Sequence, residues 1–319
     1  MNSSYVVGID VGGQTSKIGV VDARGTVLAQ TVIRTDNHTE VALFIAELAD
    51  AVKKVIKEAK VEGQVRGIGV GAPNGNYYDG TIENAVNLSW GGAKTIEFAK
   101  LLSAAMGGLP VALTNDANAA AVGEMTYGAA RGMKNFIMIT LGTGVGSGIV
   151  INGDVVYGHD GFAGELGHVA AVRNNGRVCN CGKTGCLETY ASATGVARTA
   201  REWLELSDEP SSLRNLDSIA SKDVFDAAKE GDALALKIFE FTGKILGRSF
   251  ADFVAFSAPE AIVLFGGLAR AKEFLTAPIE EAMNANLLPL WRGKVKLVYS
   301  QLKESDAAIL GASALAWEL

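Results

Sequence analysis

One histidine and three cysteines lie close together near the middle of the sequence, with spacings that suit a bound metal. His168 is followed by Cys179, Cys181 and Cys186, so that all three cysteines of the chain fall within eight residues. One imidazole and three thiolates complete a tetrahedral zinc shell, and a shell closed by four protein ligands is structural rather than catalytic. The alternative is a set of reduced, unligated thiols. The clustering and the glycines interleaved with it favour a structural Zn²⁺ site.

Two glutamates flank this cluster. Glu165 lies three residues before His168, and Glu188 lies two residues after Cys186. A metal bound here would hold both carboxylates in fixed positions, and rigid carboxylates are good bidentate acceptors for vicinal sugar hydroxyls. Isolated glutamates are more often solvated surface charges, which is the alternative. The two glutamates are therefore candidates for a sugar site.

A glycine turn near the N-terminus has the composition of a phosphate-binding loop. The segment reads Asp10-Val11-Gly12-Gly13-Gln14-Thr15-Ser16-Lys17. Glycine turns between strands leave backbone N–H groups unpaired and let a ligand approach closely. Two hydroxyls, a lysine and an aspartate that could orient a metal accompany the glycines. The same residues also suit a plain tight hairpin with an aspartate at its mouth.

A second glycine-rich turn, over residues 142–148, joins two apolar segments. It is not a dinucleotide-binding fingerprint, because the third glycine of that pattern is missing and a strand rather than a helix follows.

Asn115 and Asp116 stand where a strand-like segment ends and an alanine-rich helical segment begins. An aspartate at that point commonly caps the helix by accepting N–H bonds from its first turn. A carboxylate at the carboxyl end of a strand in an α/β sheet also faces the crevice where ligands bind. Asp116 is therefore either a helix cap or a group that accepts the proton of a substrate hydroxyl.

Strands and helices alternate around these residues. Two segments, one starting at Tyr5 and one at Asn135, share a plan of buried strand, glycine turn, second apolar strand and short polar turn. Helical periodicity appears over 40–60, 95–106 and much of 195–287. The alternation indicates an α/β protein of two lobes built on one plan. The apolar helix predicted over 233–256 suggests a homodimer.

Length and composition narrow the class of protein. The 319 residues are 48 % hydrophobic with a mean hydropathy of +0.20, which is enough for two globular domains. The net charge of −6 provides no basic surface for nucleic acid. No stretch approaches the roughly 18 consecutive apolar residues of a membrane span, and no signal peptide precedes the first strand. These features, with so few cysteines, indicate a cytoplasmic protein.

Together the motifs resemble the ROK family of bacterial sugar kinases and repressors, within the actin, hexokinase and Hsp70 fold group. The likeness rests on Asp10-x-Gly12-Gly13, Asn115-Asp116, Leu141–Gly146, Glu165-x-Gly167-His168, the cysteine motif through Glu188, and Gly266-Gly267. It implies a two-lobed actin-like ATPase fold of the ribonuclease H-like type, with each lobe a mixed β-sheet flanked by helices. The expected small lobe comprises 1–114 plus 301–319, and the large lobe comprises 115–300.

The resemblance also implies transfer of the ATP γ-phosphoryl group, with Mg²⁺, to a hexose, and most simply to the 6-hydroxyl of glucose. Asp116 is then the catalytic base. The implied sugar ligands are Asn87, Asn115, Asp116, Glu165, His168 and Glu188. The implied nucleotide-binding residues are Asp10, Gly12, Gly13, Gln14, Thr15, Lys17, Gly142, Thr143, Gly144, Gly266 and Gly267. The implied ligands of the structural Zn²⁺ are His168, Cys179, Cys181 and Cys186.

Two positions depart from the family pattern. Gln14 stands where threonine is usual in the first phosphate loop, and Asn74 follows Pro73 where glycine is usual. Thr15 could supply the missing hydroxyl, and Asn74 could reach the sugar. The alternative substrates are an N-acetylhexosamine or fructose. Alternatives of another class are a sugar-responsive transcriptional regulator lacking its DNA-binding domain and a non-catalytic sugar sensor.

Overall fold

The computed structural model describes residues 5–319, which form two compact units. The described part of unit 1 ends at Met133, resumes over Asp154–Gly164 and closes with Gln301–Leu319. Unit 2 comprises Lys134–Gly153 and Glu165–Ser300. Among the described residues, no helix combines the length and apolar character needed to cross a membrane.

The elements follow one another in a regular alternation. The first part of the chain contains β1 (Tyr5–Val11), β2 (Thr15–Asp22), β3 (Val27–Arg34), α1 (Val41–Glu58), β4 (Val65–Gly71), β5 (Ile82–Glu83), β6 (Thr95–Ile96), α2 (Phe98–Ala105), β7 (Val111–Thr114) and α3 (Asp116–Tyr127). The second part contains β8 (Phe136–Leu141), β9 (Val145–Ile151), β10 (Asp154–Val155), α4 (Glu188–Ala191), α5 (Ala193–Leu206), α6 (Ser221–Lys229), α7 (Ala233–Ser257), β11 (Ala261–Phe265), α8 (Lys272–Asn286), β12 (Lys296–Tyr299) and α9 (Glu304–Leu315).

Unit 1 is built on a five-stranded sheet in the order β3-β2-β1-β4-β7. The first three strands form antiparallel pairs, whereas β4 and β7 run parallel to β1. In this register Asp10 lies opposite Lys17 on β2 and level with Gly71 on β4, and Gly71 is level with Thr114 on β7. The carboxyl ends of three parallel strands therefore meet at one edge of the sheet, as ligand-binding α/β sheets require.

Glycines let α9 lie directly on this sheet. A Cβ atom at Gly8 would stand 2.1 Å from the carbonyl oxygen of Ile309, and one at Gly69 would stand 1.8 Å from that of Ala312. Helix α3 meets α9 in the same way, because a Cβ at Gly123 would lie 2.6 Å from the Cα of Gly311. This close packing keeps α3 within unit 1.

The compact units therefore begin and end at different residues from the predicted lobes. The expected large lobe started at residue 115, but α3 and the segment Asp154–Gly164 both belong to unit 1. The predicted boundary followed the change from strand to helix after Thr114, whereas the actual division follows the packing of α3 against α9.

Unit 2 repeats the strand arrangement of unit 1. Its sheet contains β9-β8-β11-β12, in which β8 and β9 are antiparallel and β8, β11 and β12 are parallel. The order and directions match those of β2-β1-β4-β7. The predicted α/β class and the repeated plan are confirmed.

Helix α7 is the main core element of unit 2. Along its length Leu234, Ile238, Leu246 and Phe250 are buried, and α8 packs so closely that a Cβ at Gly247 would lie 2.4 Å from the carbonyl oxygen of Ile279. The apolar pattern that suggested a homodimer is therefore explained by burial within the unit's own core, and the homodimer stays a prediction.

One predicted helix begins later than expected. The periodicity predicted a helix over 95–106, but Thr95 and Ile96 form β6, paired with β5, and α2 starts at Phe98. The apolar side chain of Ile96 fits the same periodicity in either structure, because it is buried in both cases.

Candidate active site

The first glycine turn (residues 12–14) connects β1 to β2 in unit 1. The Gly12 N–H donates to the carbonyl oxygen of Thr15, 3.1 Å away. Gly13 has no room for a side chain, because a Cβ there would lie 2.9 Å from the carbonyl oxygen of Asn87. The loop that carries Asn87 therefore packs directly on the first glycine turn. The structure brings these two predicted site segments together.

Thr35 supports the first glycine turn through two hydrogen bonds. Its N–H donates to the carbonyl oxygen of Gln14 (2.9 Å), and its hydroxyl lies 2.7 Å from that of Ser16. The side chains of Thr35 and Ser16 are buried, whereas that of Gln14 is exposed. The unusual Gln14 thus supports the turn through its backbone and leaves its side chain at the surface.

Helix α3 is capped by Asn115 and not by Asp116. The Asn115 Oδ1 accepts hydrogen bonds from the N–H groups of Ala117 (2.9 Å) and Asn118 (3.0 Å). Asp116 is the first helical residue, and its Oδ1 accepts from Ala117 N–H at 2.8 Å. The interpretation of Asp116 as the helix cap is therefore wrong. Its carboxylate stands instead at the positive end of the helix dipole, which favours an anion.

Asp10 and Asp116 repel one another within unit 1. Gly71 stands between them, and a Cβ at Gly71 would lie 3.6 Å from the Asp116 Cα. Burial and the negative charge of Asp116 raise the pKa of Asp10 to about 6, and the charge of Lys17 offsets them only in part. Asp116 is reachable by solvent but densely surrounded by protein, and this loss of hydration raises its pKa as well. A divalent cation would relieve the repulsion between the two carboxylates.

Asn74 is used within its own loop. Its φ of 52° lies in the left-handed region, which asparagine tolerates better than most residues and glycine adopts freely. The Asn74 Nδ2 donates to the carbonyl oxygens of Glu83 (2.8 Å) and Asn84 (3.2 Å). These bonds occupy both amide hydrogens, which argues against the predicted contact with a sugar.

The second glycine turn (residues 142–144) connects β8 to β9 in unit 2, and the start of α5 orients it. The Ala193 N–H donates to the carbonyl oxygen of Gly142, and the Thr194 hydroxyl donates to that of Thr143, each at 2.8 Å. In a trans peptide the carbonyl and the next N–H point in opposite directions. The N–H groups of Thr143 and Gly144 therefore point away from α5, as a phosphate-binding turn requires.

Gly266 and Gly267 lie beside this second glycine turn. Strands β8 and β11 are parallel, with Phe265 level with Thr140, so the two turns follow neighbouring strand ends. Gly266 has a φ of 102°, and a Cβ there would lie 2.6 Å from the carbonyl oxygen of Leu141. No heavy atom stands within 4 Å of a Cβ built at Gly267. Backbone at this edge is therefore open to a ligand.

Glu188 connects the second glycine turn to the cysteine motif. Its Oε2 accepts a hydrogen bond from the Val145 N–H at 3.0 Å, and a Cβ at Gly144 would lie 2.4 Å from the same oxygen. Its Oε1 lies 3.8 Å from the Cys179 Sγ. The carboxylate is thus fixed in orientation by backbone, which local sequence spacing did not indicate.

Glu165 and His168 reach the same strand from the other side of the motif. The single 3-10 turn Leu166–His168 donates from the Leu166 N–H to the Ser147 hydroxyl at 3.0 Å. A Cβ at Gly167 would lie 2.0 Å from the carbonyl oxygen of Val145. The turn therefore lies against the start of β9, where Glu188 is also bound. Three predicted sugar ligands of unit 2 are thus brought to one strand.

The four predicted metal ligands converge. One ligand atom from each of His168, Cys179, Cys181 and Cys186 lies within 4.8 Å of the others. The Cys181 and Cys186 sulfurs are 3.7 Å apart, as are the Cys179 Sγ and the His168 Nδ1. Sulfurs bound to one tetrahedral Zn²⁺ at about 2.3 Å are roughly 3.8 Å apart, so the residues fit that ion. A disulfide needs sulfurs only about 2 Å apart.

Residues 177–186, here called the cysteine knuckle, hold this arrangement with short backbone bonds. The Cys179 N–H donates to the Lys183 carbonyl oxygen at 2.8 Å, and the Gly182 N–H donates to the Cys179 carbonyl oxygen at 3.0 Å. Gly182 and Gly185 both have positive φ angles, as tight turns of this kind require. The interleaved glycines of the sequence therefore have a geometric purpose.

Sequence reasoning missed Arg177, which is buried at the base of the cysteine knuckle. Its partners lie 12 to 25 residues further along the chain, so no local spacing could reveal them. A buried arginine is unusual without a paired carboxylate, and a glutamate at position 202 supplies one.

Comparison with known proteins gives a consistent result over nearly the full length. The family model described as "ROK family" matches residues 6–318. A glucokinase of Halalkalibacterium halodurans is 39 % identical, over 98 % of this chain and 94 % of its own. A xylose repressor of Caldicellulosiruptor bescii is 28 % identical, over 97 % of this chain but 77 % of its own. The crystal structure of a ROK family glucokinase from Streptomyces griseus in complex with glucose and AMPPNP is 31 % identical, covers 99 % of this chain and 100 % of its own, and superposes with a TM-score of 0.79. The actin-like ATPase fold is thereby confirmed.

The Asp10 pKa predicts how stability depends on pH. Because the folded state binds this proton more tightly than the unfolded chain, its contribution favours folding at low pH and is lost as the pH rises through about 6. In the ligand-free protein, Asp10→Asn should therefore raise the free energy of unfolding at pH 7.5, by up to about 3 kcal/mol, and change it little near pH 5. Urea unfolding at several pH values measures the difference.

Asp50→Asn is the control for this experiment, because that carboxylate is exposed on α1. It should keep the wild-type dependence of stability on pH. Parallel curves for Asp10→Asn and the wild type would show that the repulsion between Asp10 and Asp116 is absent.

Proposed function

This chain belongs to the ROK family, and from that premise we propose that it is an ATP-dependent kinase that phosphorylates glucose at the 6-hydroxyl. The observation that carries the proposal is the pair of carboxylates, Asp10 and Asp116, at the strand ends beside the first glycine turn. Such a pair suits one carboxylate that takes up a proton and one that orients a cation. The glucokinase relatives and the glucose complex support glucose as the acceptor.

Asp116 is the proposed general base. Its carboxylate accepts the proton of the attacking hydroxyl, and its raised pKa makes it a better proton acceptor than an ordinary aspartate. Phosphoryl transfer has a loose transition state, so positioning and charge neutralisation contribute most of the rate, with the base adding about 10²- to 10⁴-fold.

The two glycine turns are the proposed phosphate contacts. In unit 2 the N–H groups of Thr143 and Gly144 are oriented to donate, and in unit 1 Lys17 lies opposite Asp10. The Mg²⁺ that accompanies ATP supplies neutralisation of the transferring phosphoryl group, and Asp10 is the residue proposed to orient it. The glycines at 12, 13, 142, 266 and 267 keep the backbone accessible.

The proposed sugar ligands act as hydrogen-bond acceptors and donors. Glu165 is exposed, and Glu188 is held by Val145 through one oxygen, which leaves the other available to a hydroxyl. His168 presents Nδ1 to Cys179, so that Nδ1 is the proposed metal ligand and Nε2 the proposed sugar contact. In unit 1, Asn87 and the Asn115 amide nitrogen complete the proposed set. A structural Zn²⁺ at the cysteine knuckle would fix Glu165 and Glu188 in position.

The same premise includes the protein's setting. A kinase that consumes ATP and keeps three free thiols fits the cytoplasm, where thiols stay reduced. We retain the homodimer as part of the proposal, to be measured by sedimentation.

Asp116→Asn tests the proposed base. Asparagine keeps the size of the side chain and suits the start of a helix, so the variant should fold and still bind glucose. Its turnover of glucose and ATP should fall by about 10²- to 10⁴-fold, because no proton acceptor remains. Coupled ADP release measures turnover, and calorimetry measures glucose binding. Wild-type turnover in a folded variant would remove Asp116 from the mechanism.

Cys181→Ser tests the proposed zinc site. The exposed serine hydroxyl is a poor zinc ligand, so the bound metal measured by elemental analysis should fall well below one ion per chain. The KM for glucose should rise about tenfold or more, because the knuckle no longer fixes Glu188. Asn180→Ser, at the exposed neighbouring position, is the matched control and should change neither quantity. A zinc-free Cys181→Ser protein with a normal glucose KM would show that the metal does not position the sugar ligands.

A further inference from the structure

Arg177 connects the two ends of the sugar-binding region of unit 2. The residue stands two positions before Cys179, and its side chain is 8 % exposed. Its own backbone closes the cysteine knuckle, because its carbonyl oxygen accepts from the Gly185 N–H at 2.8 Å. Its N–H donates to the Tyr190 hydroxyl at 2.9 Å, so the backbone of this one residue already joins the knuckle to α4.

The guanidinium group makes a second set of contacts with the chain that follows Glu188. Its Nη1 donates to the carbonyl oxygen of Thr189 at 2.8 Å, and its Nη2 donates to the Thr199 hydroxyl at 2.9 Å. Its Nε and Nη2 both donate to Glu202 Oε2, at 3.0 and 2.5 Å. Its centre lies 4.5 Å from the centroid of the Tyr190 ring. The charge is thus paired, hydrogen-bonded and stacked, which a buried guanidinium requires.

These contacts lie next to both parts of the proposed sugar site. Thr189 follows Glu188 directly in sequence, and Arg177 leads through Val178 to the Cys179 thiol, which faces the Glu188 carboxylate. The proposed metal joins the far end of the knuckle to His168, whereas Arg177 joins its base to α4 and α5. The knuckle is therefore held at both ends.

We propose that Arg177 is a positioning residue that fixes the cysteine knuckle against α4 and α5, so that Glu188 and the metal ligands keep one geometry. The proposal rests on the proposed function for its sugar-binding consequence. Its effect on metal retention is independent of any kinase activity. The second glycine turn is held separately, by Ala193 and Thr194, so the nucleotide side of the site does not depend on Arg177.

Two substitutions and a matched control test this role. Arg177→Lys keeps a positive charge for Glu202 but cannot reach the Thr189 carbonyl, Thr199 and Glu202 at once, because an ammonium lacks the planar fork. Arg177→Met removes every polar contact of the guanidinium. Arg198→Met is the control, because Arg198 pairs with Glu202 through the other oxygen at 2.7 Å but is 40 % exposed.

The measurements are zinc transfer to a chelating dye, the KM values for glucose and ATP, and the melting temperature. Zinc should leave Arg177→Lys about tenfold faster or more, and the glucose KM should rise by about as much, with the ATP KM unchanged. Arg198→Met should match the wild type. If Arg177→Met does not fold, Arg177→Lys alone decides the outcome.

Two results would overturn the proposal. One is a folded Arg177→Lys protein with wild-type zinc transfer and glucose KM. The other is a parallel rise in both KM values with a fall in melting temperature, which indicates only a general structural role. If the wild type does not phosphorylate glucose, the proposed function fails, but faster zinc transfer from Arg177→Lys still supports the positioning role.

Discussion

The repulsion between Asp10 and Asp116 is the constraint on which the chemistry of unit 1 depends. The fold brings both carboxylates to the strand ends of one sheet and withdraws them from water, and each change raises a pKa. Such an arrangement costs stability and persists only because the register of β1, β4 and β7 imposes it. A site that is short of positive charge when empty is well suited to a substrate that arrives with a cation.

Unit 2 addresses a different requirement, which is rigidity. Its two glycine turns must expose backbone N–H groups, so they contribute little of their own to a fixed shape. The start of α5 holds the carbonyls of residues 142 and 143, and Val145 holds the Glu188 carboxylate. The cysteine knuckle and Arg177 add two further attachments around the same glutamate. Sugar specificity in this account depends on the supports of Glu188 as much as on Glu188 itself.

The sequence was most informative where function constrains residue type and spacing together. The four metal ligands, the glycine turns and the repeated strand plan were predicted, because each leaves a local pattern. Three features were not predictable: the capping of α3 by Asn115, the use of Asn74 within its loop, and the contacts of Arg177. Each depends on partners or backbone angles that tertiary packing sets. The domain boundary failed for the same reason, since α3 is assigned by its contact with α9 and not by its place in the chain.

The most direct test of the central claim is the sugar dependence of ATP turnover by the wild-type protein. Coupled ADP release should be measured with glucose, mannose, fructose, N-acetylglucosamine and N-acetylmannosamine, each over a range of concentrations with Mg²⁺ and ATP. The account predicts that glucose gives the highest kcat/KM and that its product carries phosphate on the 6-hydroxyl. Equal, background ADP release with every sugar would contradict the account, and a higher kcat/KM for an N-acetylhexosamine or fructose would overturn its choice of substrate.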